Sequence, residues 1–219
     1  MKVLVIAAHP DDEVLGPGGT ILRHVAAGDE VAIHVAVAGS NLRYDDAASA
    51  ELYATSRAVA ERLGATLTLG TLPDQALDTL SLPEVERVLG EVIVREDPEL
   101  LLLHHPGDLN RDHRILFEAA MVAARPYAAP GVRAIHCFET PSSTEWGAPA
   151  ALPAFAPNRF VDVTATLEAK IAAFALYESE VRDAPHPRAL ASLEARARAW
   201  GATVGLAAAE PFVVIRERW

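Results

Sequence analysis

The sequence is poor in cysteine and lacks long apolar runs. Its one cysteine, Cys137, excludes an intrachain disulfide and a cluster of thiolates around a structural metal. We interpret Cys137 as a small apolar core residue. The longest apolar runs, residues 3–8, 31–38 and 100–103, are far shorter than the roughly 20 residues that cross a bilayer. No membrane span is therefore predicted. Because no apolar leader with a cleavage site follows the first residues, we expect a cytoplasmic location.

Positive charge is also scarce. Lys and Arg number 19 against 30 Asp and Glu, which gives a formal net charge of −11. Nucleic acid and anionic membranes both require a surplus of Lys and Arg at the contact, so neither is an expected partner. Hydrophobic residues make up 51% of the chain, enough to supply a core, and we expect one domain over residues 1–219. A homo-oligomer is possible, but nothing in the sequence identifies an interface.

Apolar runs alternate with amphipathic segments along the chain. Strands are predicted near residues 2–8, 31–38, 66–69, 100–104, 132–138 and 212–216, and helices near residues 20–27, 45–63, 83–95, 111–124, 167–179 and 187–199. Residues 141–158 contain repeated prolines and are interpreted as a long ordered loop. The alternation predicts an α/β fold with a doubly wound, mostly parallel sheet and helices on both faces.

Two polar clusters follow predicted strands. The first is His-Pro-Asp-Asp-Glu at residues 9–13, and the second spans residues 105–113. In an open parallel sheet, ligands bind beyond the carboxyl ends of the strands, so both clusters face one crevice if their strands are neighbours. Two histidines and a carboxylate suit a zinc ion that keeps one position open for water. Of the adjacent Asp11 and Asp12, one could bind the metal while the other takes a proton from water.

The same side chains also fit a role without a metal. His9 and Asp12 could cap the following helix, and His113 could lie on an ordinary helix surface. A charge-dense loop that follows one apolar strand and recurs after a second strand favours the metal site.

The clusters resemble the motifs of a known family. Residues 8–13, Ala-His-Pro-Asp-Asp-Glu, followed by Gly-Gly-Thr, resemble the signature of the PIG-L or LmbE-like N-deacetylases. The second cluster resembles that family's other motif, His-Pro-x-Asp-x-His-x-Asp-His. Further similar segments extend the resemblance over nearly the whole chain: Leu63-Gly64, Leu72-Pro73-Asp74 and Ala209-Glu210-Pro211-Phe212.

The resemblance implies a Rossmann-like fold and a hydrolytic activity. It implies zinc, or another divalent metal, bound by His9, Asp12 and His113, with Asp11 as general base. Known members hydrolyse the acetamide of N-acetylglucosamine derivatives and release acetate, so the expected partner is a small amino-sugar substrate. Two alternatives stay open: an amidase that acts on another sugar-linked amide, such as a thiol conjugate, and a sugar-binding module that keeps the metal without turnover.

The chain departs from the family motif at Asn110, where many members have histidine. Asn110 could donate a hydrogen bond to an oxyanion but cannot act as an acid, so either Asp11 performs both proton transfers or another group contributes. Asp112 is expected to support a ligand histidine, with a surface carboxylate as the alternative. Side chains alternate in direction at a strand end, and of the pair His104 and His105 we expect His105 beside the ligands.

Three residues are predicted to contact the substrate. Trp146 could stack on a pyranose ring, and Arg43 could meet a phosphate or carboxylate. The alternatives are a tryptophan packed within its loop and a solvated arginine. Asp108, in the second polar cluster, is the third predicted contact.

Overall fold

The structure, a computed structural model, describes residues 1–38 and 44–218. In this part of the chain, one sheet contains β1 (Lys2–Ala7), β2 (Glu30–Val35), β3 (Thr66–Leu69), β4 (Leu100–His104), β5 (Ala134–Phe138), β6 (Arg159–Asp162) and β7 (Ala209–Glu217). The helices are α1 (Asp12–Leu15), α2 (Gly18–Ala26), α3 (Asp46–Leu63), α4 (Leu82–Glu96), α5 (Arg111–Ala123), α6 (Leu167–Phe174) and α7 (Leu190–Thr203).

The strands run in the order β3-β2-β1-β4-β5-β7-β6. β1 to β5 are parallel, and β7 is antiparallel to both β5 and β6. This confirms the predicted α/β fold with a mostly parallel sheet. The strand order reverses beside β1, because the chain moves outward to β3 and then returns to place β4 on the other side. β1 and β4 are neighbours, so the two polar loops that follow them share one crevice at the switch point.

Both faces of β1 are covered, which explains why its sequence is continuously apolar. Val3, Val5 and Ala7 belong to a core cluster with residues of α2, α3, α6 and α7. Leu4 and Ile6 belong to the opposite cluster, with residues of α4 and α5. Each buried side chain of this size contributes about 1.5–3 kcal/mol, so the central strand is firmly held and its last residues are fixed in place.

Several boundaries differ from the predictions. The predicted loop after β1 contains the single turn α1, and the helix predicted to reach residue 179 ends at Phe174. β6 was not predicted, because four residues at a sheet edge leave little pattern. β7 begins at Ala209 rather than residue 212 although it contains Pro211. That proline lies beyond the pairing with β5, where β7 pairs only with β6, and such positions tolerate a missing N–H.

No helix among the described residues has the length and apolar character needed to cross a bilayer.

Candidate active site

The turn after β1 holds its acidic residues in a strained conformation. Asp11 has a φ of 107°, a left-handed value that costs a non-glycine residue about 1–3 kcal/mol. Hydrogen bonds compensate: the Asp11 amide donates to Glu13 Oε2 at 3.0 Å, and the Asp11 carbonyl accepts from Val14 and Leu15. The His9 amide donates to Asp12 Oδ2 at 2.8 Å. The backbone around Asp11 is therefore fixed on both sides.

His9, Asp12 and His113 converge on one point. His9 Nδ1 lies 3.2 Å from Asp12 Oδ2 and 3.2 Å from His113 Nε2, and His113 Nε2 lies 3.3 Å from Asp12 Oδ2. All three residues are buried. Asp12 Oδ1 is also buried, and it has no hydrogen-bond partner among the described residues. A buried carboxylate with an oxygen that accepts no hydrogen bond favours a nearby cation, and two imidazole nitrogens with a carboxylate are a donor set that suits zinc. The three residues therefore fit a divalent metal.

The charges in this group are strongly coupled. Burial alone would raise the pKa of Asp12, but His113 and His104 nearby, together with hydrogen bonds from His113 and His9, hold that pKa well below its usual value. Burial likewise acts to lower the pKa of His113, and the carboxylates of Asp12 and Asp108 outweigh it and raise this pKa to about 9. Asp12 is thus an anion that could serve as a metal ligand, and a proton on His113 would compete with a cation bound there.

Asp108 lies behind His113 rather than in the crevice. Its Oδ1 is 3.1 Å from His113 Nδ1 and accepts hydrogen bonds from the Asn110 amide and the Ser143 hydroxyl. Thr144 Oγ1 donates to its Oδ2 at 2.7 Å. Asp108 is 0% exposed, so a substrate cannot reach it, and the predicted substrate contact is corrected to support of His113. Burial would raise the pKa of Asp108, but the contacts with His113 and Ser143 lower it to about 2.

The other nitrogen of His9 faces a second set of acids. His9 Nε2 lies 3.1 Å from Asp74 Oδ1 and 3.3 Å from Asp112 Oδ2, and Gln75 Nε2 is 3.0 Å away. Asp112 also accepts hydrogen bonds from the backbone amides of Gln75 and Leu77. Asp112 therefore lies where support of a ligand histidine requires it, and it also anchors the loop that follows β3.

The structure places His104, not His105, beside the predicted metal ligands His113 and Asp12. The ring of His104 stacks on that of His113, with centroids 3.8 Å apart, and its Nε2 accepts a hydrogen bond from the Ala8 amide. Burial lowers the pKa of His104 to about 3, so its ring is neutral. His105 instead accepts a hydrogen bond from the Gly107 amide and meets the edge of Phe155. β4 continues through His104, and the alternation of side chains at its end turns His105 away.

Asn110 is the N-cap of α5. Its Oδ1 accepts a hydrogen bond from the Asp112 amide at 2.9 Å, and its backbone amide donates to Asp108 Oδ1. Since the side-chain oxygen is used by the cap, the amide NH₂ is the group with which Asn110 could meet an oxyanion. A catalytic role of Asn110 is therefore limited to donation.

Trp146 lies at the rim of the crevice. It belongs to a short 3₁₀ turn, Thr144–Trp146, and is 50% exposed. Its ring meets the edge of His186, with centroids 5.9 Å apart. The exposed half of Trp146 is open to a ligand. Arg43, the other predicted rim contact, lies outside the described residues.

Arg188 is a site residue that the sequence did not reveal. Its Nη1 donates to Asp11 Oδ2 at 2.7 Å and to Glu180 Oε2 at 2.8 Å, and its Nε donates to Ser142 Oγ at 2.7 Å. Burial raises the pKa of Asp11 well above its usual value, and the positive charge of Arg188 opposes this shift. A lone arginine distant in sequence carries no pattern that could have marked it.

A buried ion pair supports the first loop from below. Lys170 Nζ donates to Glu210 Oε1 at 2.6 Å and to the carbonyls of Leu15 and Gly16. Glu210 in turn accepts hydrogen bonds from the amides of Gly19 and Thr20, both at 2.7 Å. The familial segment at residues 209–212 could have marked Glu210 as important. The role of Lys170 had no comparable signal.

The chain belongs to the PIG-L family, described as GlcNAc-PI de-N-acetylase, whose model matches residues 4–124, more than half of the chain. It is 28% identical to the diacetylchitobiose deacetylase of Thermococcus kodakarensis over 193 residues, 82% of this chain and 70% of that protein. A conserved protein from Thermus thermophilus is similar in structure, with a TM-score of 0.79, 26% identity and coverage of 99% and 96% of the two chains.

The same fold also occurs in a protein that is named for a different activity. GalB, the 4-carboxy-2-hydroxymuconate hydratase of Pseudomonas putida, has a TM-score of 0.76 at 20% identity, with 100% of this chain and 97% of that chain covered. That likeness concerns the fold alone. An activity must therefore be argued from the site.

Proposed function

We propose that the protein is a zinc-dependent deacetylase that hydrolyses the acetamide of an N-acetylglucosamine-type sugar and releases acetate. The observation that carries this proposal is the buried group His9, Asp12 and His113 beside Asp11, in a chain of the PIG-L family. The deacetylase activity of the Thermococcus relative supports the same reaction class. Zinc is favoured over Mg²⁺ or Ca²⁺ because two of the three donors are imidazole nitrogens.

A divalent cation held by these residues would lower the pKa of a water molecule to roughly 7 and polarise the acetyl carbonyl. Asp11 then takes a proton from the attacking water while the water oxygen bonds to the acetyl carbon. The bond between the carbonyl carbon and the nitrogen breaks as the sugar amine receives a proton. Burial, which raises the pKa of Asp11, suits a carboxyl group that must first accept and later return this proton.

Other residues would hold the sugar and the developing charge. The Asn110 NH₂ group could donate a hydrogen bond to the oxyanion, and it has no acidic proton to give. We therefore assign both proton transfers to Asp11. Trp146, half exposed at the rim, could stack on the sugar ring. Arg43 could meet an anionic aglycone, as proposed from the sequence.

The test is acetate release from a panel of free, glycosidic and nucleotide-linked N-acetylglucosamine compounds by zinc-loaded protein. We expect release that stops on chelation. Asp11→Asn should keep the zinc and lower turnover by about 10²-fold or more, as loss of a general base does. His113→Ala should lose the stoichiometric zinc.

Each other result rejects part of the proposal. Release of a longer acid from other sugar-linked amides, with none from acetamides, would favour the amidase. Binding of zinc and sugar without release of any acid would favour the binding module. Undiminished turnover in Asp11→Asn would remove Asp11 from its role, and full zinc content in His113→Ala would remove His113 from the ligands.

A further inference from the structure

We propose that Arg188 is a positioning residue, which holds the carboxylate of Asp11 in the one orientation that can take a proton from water. The inference rests on the proposed function, because it assigns Arg188 a task only if Asp11 is the base. It follows from the contacts of Arg188 and from the limited freedom of Asp11.

The backbone and side chain of Asp11 are fixed by different partners. Glu13 and the first turn of α1 hold the strained backbone. What they leave free is rotation of the carboxylate about its last bond, a torsion with broad, roughly two-fold preferences. The hydrogen bond from Arg188 Nη1 to Asp11 Oδ2 restricts this rotation. No donor among the described residues is bonded to Oδ1, so Oδ1 is the oxygen left to receive the proton.

Arg188 is itself immobilised from separate parts of the chain. Glu180 follows α6 and accepts from the same Nη1 that serves Asp11, while Ser142 follows β5 and accepts from Nε. The side chain of Arg188 is only 17% exposed, and that of Asp11 only 3%. Bonds between charged groups at such burial are screened little by solvent and are directional. The guanidinium group therefore links the Asp11 carboxylate to the segments that contain Glu180 and Ser142, and these contacts restrict the motion of the carboxylate.

The geometry argues against a simple substrate anchor. An anchor would need its charge available to the ligand, whereas Nη1 of Arg188 is shared between Asp11 and Glu180. Lysine cannot replace this arrangement, because an ammonium group cannot reproduce the fork that joins Ser142 to the two carboxylates.

Removal of Arg188 alone would leave Asp11 and Glu180 as two buried acids without their shared cation. The informative variants are therefore Arg188→Lys and the double variant Arg188→Gln with Glu180→Gln, which removes both charges of the outer pair. Arg182 provides a matched control: it also lies near Glu180, at 3.9 Å, but is about half exposed and bonds to backbone carbonyls. Arg182→Gln should leave turnover unchanged.

Steady-state kinetics on an N-acetylglucosamine compound of the panel distinguish a positioning residue from a substrate anchor. Positioning predicts that the double variant loses about 10²-fold in kcat, the effect of a small misplacement of a reacting group, with KM within about twofold of the wild type. Zinc content should be unchanged. Arg188→Lys, which keeps the charge but not the fork, should also lose kcat, with KM and zinc content unchanged.

Several results would overturn the inference. An unchanged kcat in the double variant would show that Asp11 needs no partner. A raised KM with normal kcat would make Arg188 a substrate anchor, and a loss of zinc would make its role structural. Absence of activity in the wild-type protein would instead reject the proposed function. A crystal structure of the zinc-loaded double variant provides a test independent of activity: more than one orientation of the Asp11 carboxylate is expected, and a single unchanged orientation contradicts the proposal.

Discussion

Asp108 Oδ1 lies 3.1 Å from His113 Nδ1, while the opposite ring nitrogen of His113 lies 3.3 Å from Asp12 Oδ2. The imidazole is therefore held between two carboxylates, one on the side of the proposed metal and one behind it. A carboxylate in the rear position fixes the ring orientation and the tautomer, and it increases the basicity of the ligand nitrogen.

Asp108→Asn should weaken zinc binding without loss of the fold. The amide keeps the volume of the side chain but loses the charge behind His113, so we expect zinc affinity to fall by about 10–100-fold, the usual effect of removing such a partner. Competition with a chromophoric chelator measures this affinity. Asp78→Asn is the control, since Asp78 is 39% exposed and, among the described residues, forms its one ion pair with Arg111 on the surface. Equal zinc affinity in Asp108→Asn and wild type would contradict the assigned support.

Asn110→His tests how the absence of the family histidine affects stability and turnover. Loss of the N-cap of α5 should destabilise the protein by about 0.5–2 kcal/mol, which lowers Tm by a few degrees. Asn110→Ser, which retains a capping oxygen, should lose little stability. Turnover is measured separately: we expect Asn110→His to be slower, because in the proposed mechanism Asp11 performs both proton transfers and the amide donor is lost. Faster turnover would show that a missing acid limits the reaction.

Glu210→Gln should strongly destabilise the protein. The change leaves Lys170 as a buried charge without its anionic partner, and breaking such a pair costs about 3–5 kcal/mol. Chemical denaturation gives the free energy of unfolding. Lys170→Met combined with Glu210→Gln should lose less than the sum of the two single changes, since the pair is coupled. Glu194→Gln breaks an exposed pair with Arg198 and should change stability by less than about 1 kcal/mol. Additive losses at the buried pair would reject this account.

Stability should fall in mild acid because of His34. Burial lowers the pKa of His34 to about 4, and its Nδ1 bonds Thr68 Oγ1 at 2.9 Å. Between pH values of about 6.5 and 4, the unfolded chain binds a proton at this histidine and the folded chain does not. Stability is therefore complete above pH 6.5 and declines toward pH 4, by up to about 3 kcal/mol. His34→Gln should flatten this part of the pH profile of unfolding, and an identical profile would exclude His34 as the cause.

The sequence predicted the elements, and the clustering of candidate ligands, that depend on local pattern. Apolar runs predict β1 and β4, and the clusters of charged residues that follow these runs predict the two polar loops. The predicted helix over residues 45–63 was confirmed within one residue, because Gly64 adopts the left-handed conformation that ends it. Since β1 and β4 are neighbours, the placement of His9, Asp12 and His113 in one crevice followed from the predicted sheet.

The supporting residues could not be predicted in the same way. Contacts such as that of Arg188 with Asp11 join positions far apart in the chain, and neither residue type nor spacing predicts them. The error between His104 and His105 arose because the side-chain alternation of a strand depends on where the strand ends. Asp108 was misassigned because a polar residue near a site can face either the ligand or the residue that binds it.

The ion pair between Lys170 and Glu210 also limits how early during synthesis the loop at residues 15–20 can reach its final structure. All proposed metal ligands have been synthesised once residue 113 is added, yet Glu210 lies in β7. The loop at residues 15–20 cannot acquire its last anchor until β7 has inserted between β5 and β6. Because synthesis proceeds from the amino terminus, a nascent chain carries the histidines and acids of the site well before it carries Lys170 and Glu210, which anchor the loop at residues 15–20.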